Sequence, residues 1–355
     1  MKASDVTVFP DRGSIIEKFE DGFKIAVGEE LITGQKLLIA TGSSPAMAPI
    51  PGLKEGLETG FVLTNREVLE LVTKPERLCV IGGGIIGLEI ASYFNSIGSE
   101  GTVFEILDHI AGEYVQELVS ILKADMEKKG IRFELNARVT AIEENAVLFQ
   151  QEENKRIEAD KVLLSIGRHP NTQNIGLETI GVEMQKGAVI TDEKMRTNVT
   201  NVFAAGDVNG MSMLAHTAYR EAEVAVNSML GLEDIMSYSA IPAIVYTNPE
   251  LSSVGETEAT AAQKGLSYKT VKLPMNYSGR YRAENEDGRG MIKLIMNADS
   301  EQILGVQVLC NYSSEFITTV TTFIELGLKL DDIKKIVFPH PTVSEIIREA
   351  VFKYE

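Results

Sequence analysis

Apolar and polar positions change their rhythm along the chain. Between residues 3 and 40, short runs rich in β-branched and apolar side chains, SDVTVF, GFKIAV and KLLIATG, predict strands. The turn signals DRG and EDG separate them. From Arg77 the rhythm lengthens. RLCVIGGGIIGLEIASYFNSIG predicts a buried strand, a glycine turn and a helix that carries Ile86, Ile90, Tyr93 and Phe94 toward one face. GTVFEIL predicts a second strand. YVQELVSILKADMEKKG predicts an amphipathic helix ended by Gly130, and IRFELNARVTAIE a third strand. This βαβαβ order implies a parallel sheet. VLLSIG and VFAAGD predict further strands, and MLAHTAYREAEVAVNSMLG a helix closed by Gly231. Residues 240–355 mix strands (AIVYT, MIKLIM, ILGVQVL) with helices (SEFITTVTTFIEL, SEIIREAVF), the pattern of a separate α+β domain.

Composition narrows the function classes. A chain of 355 residues has room for about two or three domains. Its net charge of −17 disfavours a nucleic-acid partner and an anionic membrane surface. No apolar run reaches the roughly 20 residues of a membrane helix. The start MKASDVTVFPDRG lacks the apolar core of a signal peptide, so a cytoplasmic location is expected. The two cysteines, Cys79 and Cys310, lie in strand-like runs, which suits core thiols better than nucleophiles, a disulfide scaffold or a zinc site. None of the four histidines stands in a metal-ligand spacing, and no metal site is expected.

Two stretches carry chemistry. In IGGGIIGLE, Gly82, Gly84 and Gly87 form a GxGxxG that follows an apolar strand and opens a helix. In that context the glycines admit backbone amides to a pyrophosphate, and the helix start favours its charge. The bland alternative is a tight strand–helix turn. Glu105 follows Gly87 by 18 residues, near the spacing of about 20 for an acid that accepts from a ribose 2′-hydroxyl. A carboxylate there repels a 2′-phosphate, so NAD is expected over NADP. The second stretch is FPHPTVSEII, with His340 five residues before Glu345. A carboxylate behind one imidazole nitrogen makes the other a general base. Thr342 to Glu345 equally reads as a capping box for the helix that follows.

Six motifs occur in order: IATGSSP, VIGGGIIGLE, SIGRHPNT, FAAGDVNGMSMLAH, YTNPELSSVGETE and HPTVSE. Together, over residues 5–350, they resemble the pyridine-nucleotide disulfide oxidoreductases, and among them most the dihydrolipoamide dehydrogenases. The resemblance implies an α/β fold with a Rossmann-type nicotinamide domain (residues 71–167) and an incomplete Rossmann-type FAD domain (1–70 and 168–237). A C-terminal α+β dimerisation domain (238–355) completes it. It implies NAD contacts at Gly82, Gly83, Gly84, Ile85, Ile86, Gly87, Leu88, Glu89, Glu105, Val139 and Gly167. It implies FAD contacts at Thr41, Gly42, Ser43, Asp207, Met213, Leu214, Ala215 and His216; read by itself, Asp207 equally suits a helix cap or turn. His340 and Glu345 match the family's base and its orienting acid, which serve a disulfide on the other subunit of a homodimer.

The family pattern also has a GxGxxG for FAD and a CxxxxC redox pair, and this sequence contains neither. The resemblance therefore implies an N-terminally truncated chain, or a split form whose FAD/disulfide fragment is a separate chain. FAD is expected to bind weakly or not at all, and the chain to be inactive alone. The complete enzyme would oxidise lipoyl-bearing proteins of a 2-oxo acid dehydrogenase complex. Two alternatives remain: another FAD/NAD-linked disulfide reductase, and a non-catalytic NAD-binding dimeric module.

Overall fold

The computed structural model describes residues 6–354. It divides into two compact units, residues 1–44 with 168–237 and residues 45–167 with 238–355.

In the first unit, Gly13–Phe19, Gly22–Val27 and Glu30–Gly34 form an antiparallel meander. Leu37–Ile39 pairs in parallel with Val202–Ala204. Ile15, Phe23, Ile39, Leu177, Val202 and Val208 bury into its core. Helix Ala215–Met229 ends where predicted, with Gly231 at positive φ just beyond it. The strand expected in SDVTVF is not formed over residues 6–9, and its first two residues lie outside the described residues. Val6 and Val8 are exposed, so no partner strand covers them.

The second unit is built on a five-stranded parallel sheet. Its order is Val62–Leu63, Lys161–Leu164, Arg77–Ile81, Glu100–Phe104, Arg132–Glu134. Strand Arg77–Ile81 is covered on both faces, as a central parallel strand requires. Leu78 and Val80 pack with Leu88, Ala91, Leu118 and Leu122 of helices Ile85–Ser96 and Gln116–Lys128. Cys79 and Ile81 pack oppositely, with Val147 and Phe149 of the meander Arg138–Glu143, Ala146–Gln150, Asn154–Glu158. The buried face of the first helix is Gly87, Leu88, Ala91 and Phe94. The expected face holds only in Phe94: Ile86 and Ile90 are half-buried and Tyr93 is exposed. Gly87 and Ala91 let the helix lie close, and Leu88 and Phe94 fill the core beside them.

IRFELNARVTAIE is two strands rather than one. Asn136 takes φ +52° and turns the chain between the parallel sheet and the meander. Val62 and Leu63 pair with Val162 and Leu163, which places residues 45–70 with the parallel sheet. The sequence reading had grouped them with residues 1–44.

A five-stranded antiparallel sheet completes this unit, in the order Ala243–Val245, Leu251–Gly255, Ile303–Leu309, Met291–Asn297, Tyr268–Pro274. Helices Ser313–Glu325 and Glu345–Phe352 cover it, and Phe316, Ile317, Val320, Ile346 and Val351 enter its core. Val245, Leu251 and Leu309 belong instead to the core of the parallel sheet's helical face, so the two sheets share apolar packing. Among the described residues no helix is long and apolar enough to cross a membrane.

Lys293 stands in the middle of the antiparallel sheet with its side chain 4% exposed. It pairs with Glu258, and with Glu117 at 3.3 Å; Glu117 also meets Lys272 at 2.8 Å. Lys293→Ala leaves two carboxylates short of a partner. The expected loss lies toward the low end of about 3 to 5 kcal/mol, because both carboxylates keep some exposure to water. A urea titration reads it as a lower midpoint with unchanged slope.

Candidate functional site

The glycine turn is set by backbone crowding. Gly82 has φ +108°, and a Cβ there would lie 2.4 Å from the Ser165 carbonyl oxygen. A Cβ on Gly87 would lie 2.2 Å from the Gly82 oxygen and 2.7 Å from Ser165 Oγ. Ser165 Oγ donates to that same Gly82 oxygen at 3.0 Å. These two glycines therefore serve the close approach of strand, turn and helix. Gly84 differs: nothing lies within 4 Å of where its Cβ would be. It caps helix Ile85–Ser96, and no side chain caps the first amides. An open backbone at an uncapped helix start suits the pyrophosphate of NAD.

Glu105 leaves the neighbouring strand and turns both carboxylate oxygens onto backbone. Oε2 accepts from Gly83 N at 2.8 Å and Oε1 from Leu107 N at 2.9 Å. Each oxygen keeps a second lone pair for a ribose hydroxyl. Thus the acid expected 18 residues downstream is brought onto the glycine turn itself. Ile85 and Ile86 line the helix start half-buried, and Leu88 is fully buried in the core. Glu89 Oε1 accepts from Tyr246 N at 2.8 Å, and burial raises its pKa above the ordinary 4.5. Val139 packs half-buried against the meander side of the sheet. The Gly167 oxygen accepts from Ala46 N at 2.9 Å.

In the first unit, Ser43 and Asp207 come together. Ser43 Oγ donates to Asp207 Oδ2. Arg168 Nε donates to Ser43 Oγ at 2.7 Å and lies 3.8 Å from the same carboxylate oxygen. Arg168 was not singled out from the sequence; its place in SIGRHPNT, 125 residues from Ser43, gave no local signal. Thr41 Oγ1 donates to the Asn171 oxygen at 2.7 Å, and Asn171 N donates to the Gly42 oxygen at 2.9 Å. Asp207 opens a short turn in which Asn209 Nδ2 is buried without a partner. Met213, Leu214, Ala215 and His216 form the start of helix Ala215–Met229, where no side chain caps the first amides. An unsatisfied buried donor beside a fixed carboxylate fits a polar cofactor group such as a flavin's sugar alcohol. The sequence's GxGxxG, residues 82–87, serves the second unit, so the first lacks a phosphate turn of that kind among its described residues.

His340 and Glu345 are paired as predicted. His340 Nδ1 lies 2.7 Å from Glu345 Oε1, and Glu345 Oε2 accepts from Thr342 N at 2.8 Å. One oxygen makes the pairing with the imidazole. Of the capping box only the bond from the Thr342 amide forms, since Ser344 precedes the helix without a side-chain cap and Thr342 Oγ1 donates to the Pro339 oxygen. With a carboxylate on Nδ1, that nitrogen carries the proton and Nε2 is left basic on a side chain 77% exposed. Burial pushes Glu345 up, but the Thr342 amide and His340 outweigh it and hold the carboxyl below 4.5. Both cysteines are buried; burial pushes the Cys79 thiol up to about 12 and raises Cys310 well above its ordinary range. Neither yields a thiolate at neutral pH. Among the described residues no cluster of histidine, cysteine and acids holds a metal ion.

Comparison with known proteins bears on both halves. Residues 1–222 match the family described as pyridine nucleotide-disulphide oxidoreductase, and residues 241–351 match its dimerisation domain. The dihydrolipoyl dehydrogenase of Chlamydia muridarum is 36% identical over 354 residues, 99% of this chain and 75% of that protein. Dihydrolipoyl dehydrogenase 3 of Haloarcula marismortui is 34% identical over 334 residues, 91% of this chain and 69% of that protein. Among solved structures, the Cu(II) complex of the HOCl-induced flavoprotein disulfide reductase RclA from Escherichia coli superposes with a TM-score of 0.90 at 27% identity. It covers all of this chain and 81% of that one.

Two outcomes are expected. Glu105→Arg replaces the carboxylate on the glycine turn with a cation and should shift the NAD-to-NADP affinity ratio toward NADP by at least about tenfold, read by calorimetric titration. Glu345 has its folded pKa depressed, so its stabilising effect is present above the ordinary value and fades as pH falls through the folded one. The stability gap between wild type and Glu345→Gln should therefore close below pH 4.5, in denaturant melts across acid pH.

Proposed function

The chain belongs to the pyridine nucleotide-disulphide oxidoreductases, flavin-dependent enzymes linked to NAD, and from that membership we propose that it serves dihydrolipoyl dithiol oxidation with NAD as acceptor. The observation that carries this reading is the His340–Glu345 pair, a general base held in one tautomer at the surface of the dimerisation domain. In the reaction a dithiol loses two protons and two electrons and closes to a disulfide. NAD leaves as NADH with one proton released. His340 Nε2 takes a proton from the incoming thiol, and Glu345 stabilises the imidazolium that results.

Gly82 to Glu89, with Glu105, would hold the dinucleotide; Ser43 and Asp207, with Thr41, Gly42 and residues 213–216, would hold the flavin side. Bound FAD would supply two-electron transfer between a disulfide and NAD. Glu105 ties the strand end to the turn, which favours a ribose with a free 2′-hydroxyl. The protein acts as a homodimer, and the His340 of one copy serves the disulfide of the other. Lipoyl-bearing proteins of a 2-oxo acid dehydrogenase complex are its substrates.

The 355 residues do not carry the exchangeable disulfide themselves. Both thiols are buried with raised pKa values, and neither lies at the surface beside a base. We therefore assign the redox pair to residues outside this sequence, in the same polypeptide or a separate one. Alone, this chain holds FAD weakly or not at all and does not oxidise dithiols. The buried cysteines equally favour a second reading, a dimeric NAD-binding module without catalysis.

One experiment separates the readings. The visible spectrum of the purified chain is expected to lack a flavin band. Adding a fragment that bears the redox disulfide and flavin phosphate turn should restore both the band and NAD-linked dithiol oxidation. In that restored enzyme His340→Gln should slow turnover by about 10²- to 10⁴-fold. No activity upon addition, with NAD still bound, identifies the module.

A further inference from the structure

The His340 loop is held at a point that no motif marks. Ser278 is 1% exposed, and its Oγ donates to the Thr342 carbonyl at 2.9 Å. The same oxygen accepts from Tyr281 N at 3.2 Å, capping the short helix Gly279–Glu284. Tyr281 is itself buried, and its hydroxyl accepts from Gly290 N at 3.0 Å. Met275, three residues before Ser278, is fully buried in the C-terminal core. Ser278 therefore stands on a fixed platform, and Thr342 hangs from it by its carbonyl. The amide of Thr342 points the other way, onto Glu345 Oε2, and Glu345 Oε1 meets His340.

We propose that Ser278 is a positioning residue for the His340–Glu345 pair: its buried hydroxyl fixes the Thr342 carbonyl and so aims the Thr342 amide at the carboxylate that orients His340. The inference rests on the reading of His340 as the dithiol's base, but the contact it describes is present without any substrate. The Thr342 carbonyl and amide belong to successive peptide planes joined at the Thr342 Cα, so only the two torsions of Thr342 separate the anchored carbonyl from the amide it helps to aim. His340 is largely exposed, and its Nδ1 is held by Glu345. Glu345 in turn has three groups that act on its charge: the Thr342 amide, His340 and Arg348. Of these the amide is the one tied to the core.

The test reads the contact in the chain as it exists. Amide hydrogen exchange at Thr342 and the carboxyl carbon signal of Glu345, followed against pH by NMR with labelled glutamate, are measured in wild type, Ser278→Ala, Ser278→Thr and Ser278→Asp. In Ser278→Ala, exchange at Thr342 should quicken roughly tenfold, and Glu345 should titrate closer to its ordinary range. Ser278→Thr keeps donor and acceptor and should restore wild-type values. Ser278→Asp keeps the acceptor for Tyr281 but no donor, so protection at Tyr281 should persist while that at Thr342 is lost. This variant decides the matter should Ser278→Ala fail to fold. Wild-type exchange at Thr342 in the folded Ala or Asp variant overturns the proposal. In the enzyme restored with the disulfide-bearing fragment, an unchanged dithiol rate in His340→Gln instead overturns the catalytic reading, and the exchange results on the chain itself keep the two failures apart.

Discussion

A buried ammonium governs the second unit. Lys293 sits on a central strand of the antiparallel sheet, where water cannot reach it, and an unpaired charge there would cost several kcal/mol. Its partners come from two directions. Glu258 opens the helix beside its own sheet, and Glu117 lies in the first turn of the helix that covers the parallel sheet. Satisfying Lys293 therefore requires the nucleotide layer and the C-terminal layer to be assembled together. The shared apolar packing of Val245, Leu251 and Leu309 with that same helical layer makes the same demand without charge. Residues 45–167 and 238–355 thus form one body although residues 168–237 separate them in the chain.

Carboxylates do the aiming in the candidate sites. Glu105 binds two amides and so joins a strand end to the glycine turn. Glu345 divides itself between an amide and an imidazole. Asp207 is reached by Ser43 and Arg168. In each case an anion accepts from donors whose positions the backbone or a short side chain fixes, so the geometry exists before any ligand arrives. The chain's large negative charge conceals these acids among many that are merely solvated.

Sequence carried the parallel sheet and its helices well because their signals are local. An apolar strand, crowding glycines and an amphipathic helix follow one another within the residues from Arg77 to Gly130. The same holds for His340 and Glu345, which meet across a single turn of chain. What stayed hidden depends on remote partners or on single backbone angles. Asn136 breaks an apparently continuous strand by one positive φ. Residues 45–70 join the parallel sheet through a two-residue strand too short to show a period. Arg168 and Ser278 act through bonds to residues 125 and 64 positions away. Apolar spacing alone places Tyr93 on the inner helix face, whereas that face is Gly87, Leu88, Ala91 and Phe94, and Tyr93 is exposed.

The burial of both cysteines has a consequence for a protein that handles sulfur. A thiol near exchanging disulfides is a hazard: once ionised it attacks whichever disulfide it meets and leaves a mixed bond. Cys79 and Cys310 are shut into two different cores, and their protons are held far above neutral pH. Among the described residues the surface offers no sulfhydryl to compete with a passing dithiol. The scaffold itself is therefore inert toward disulfide scrambling.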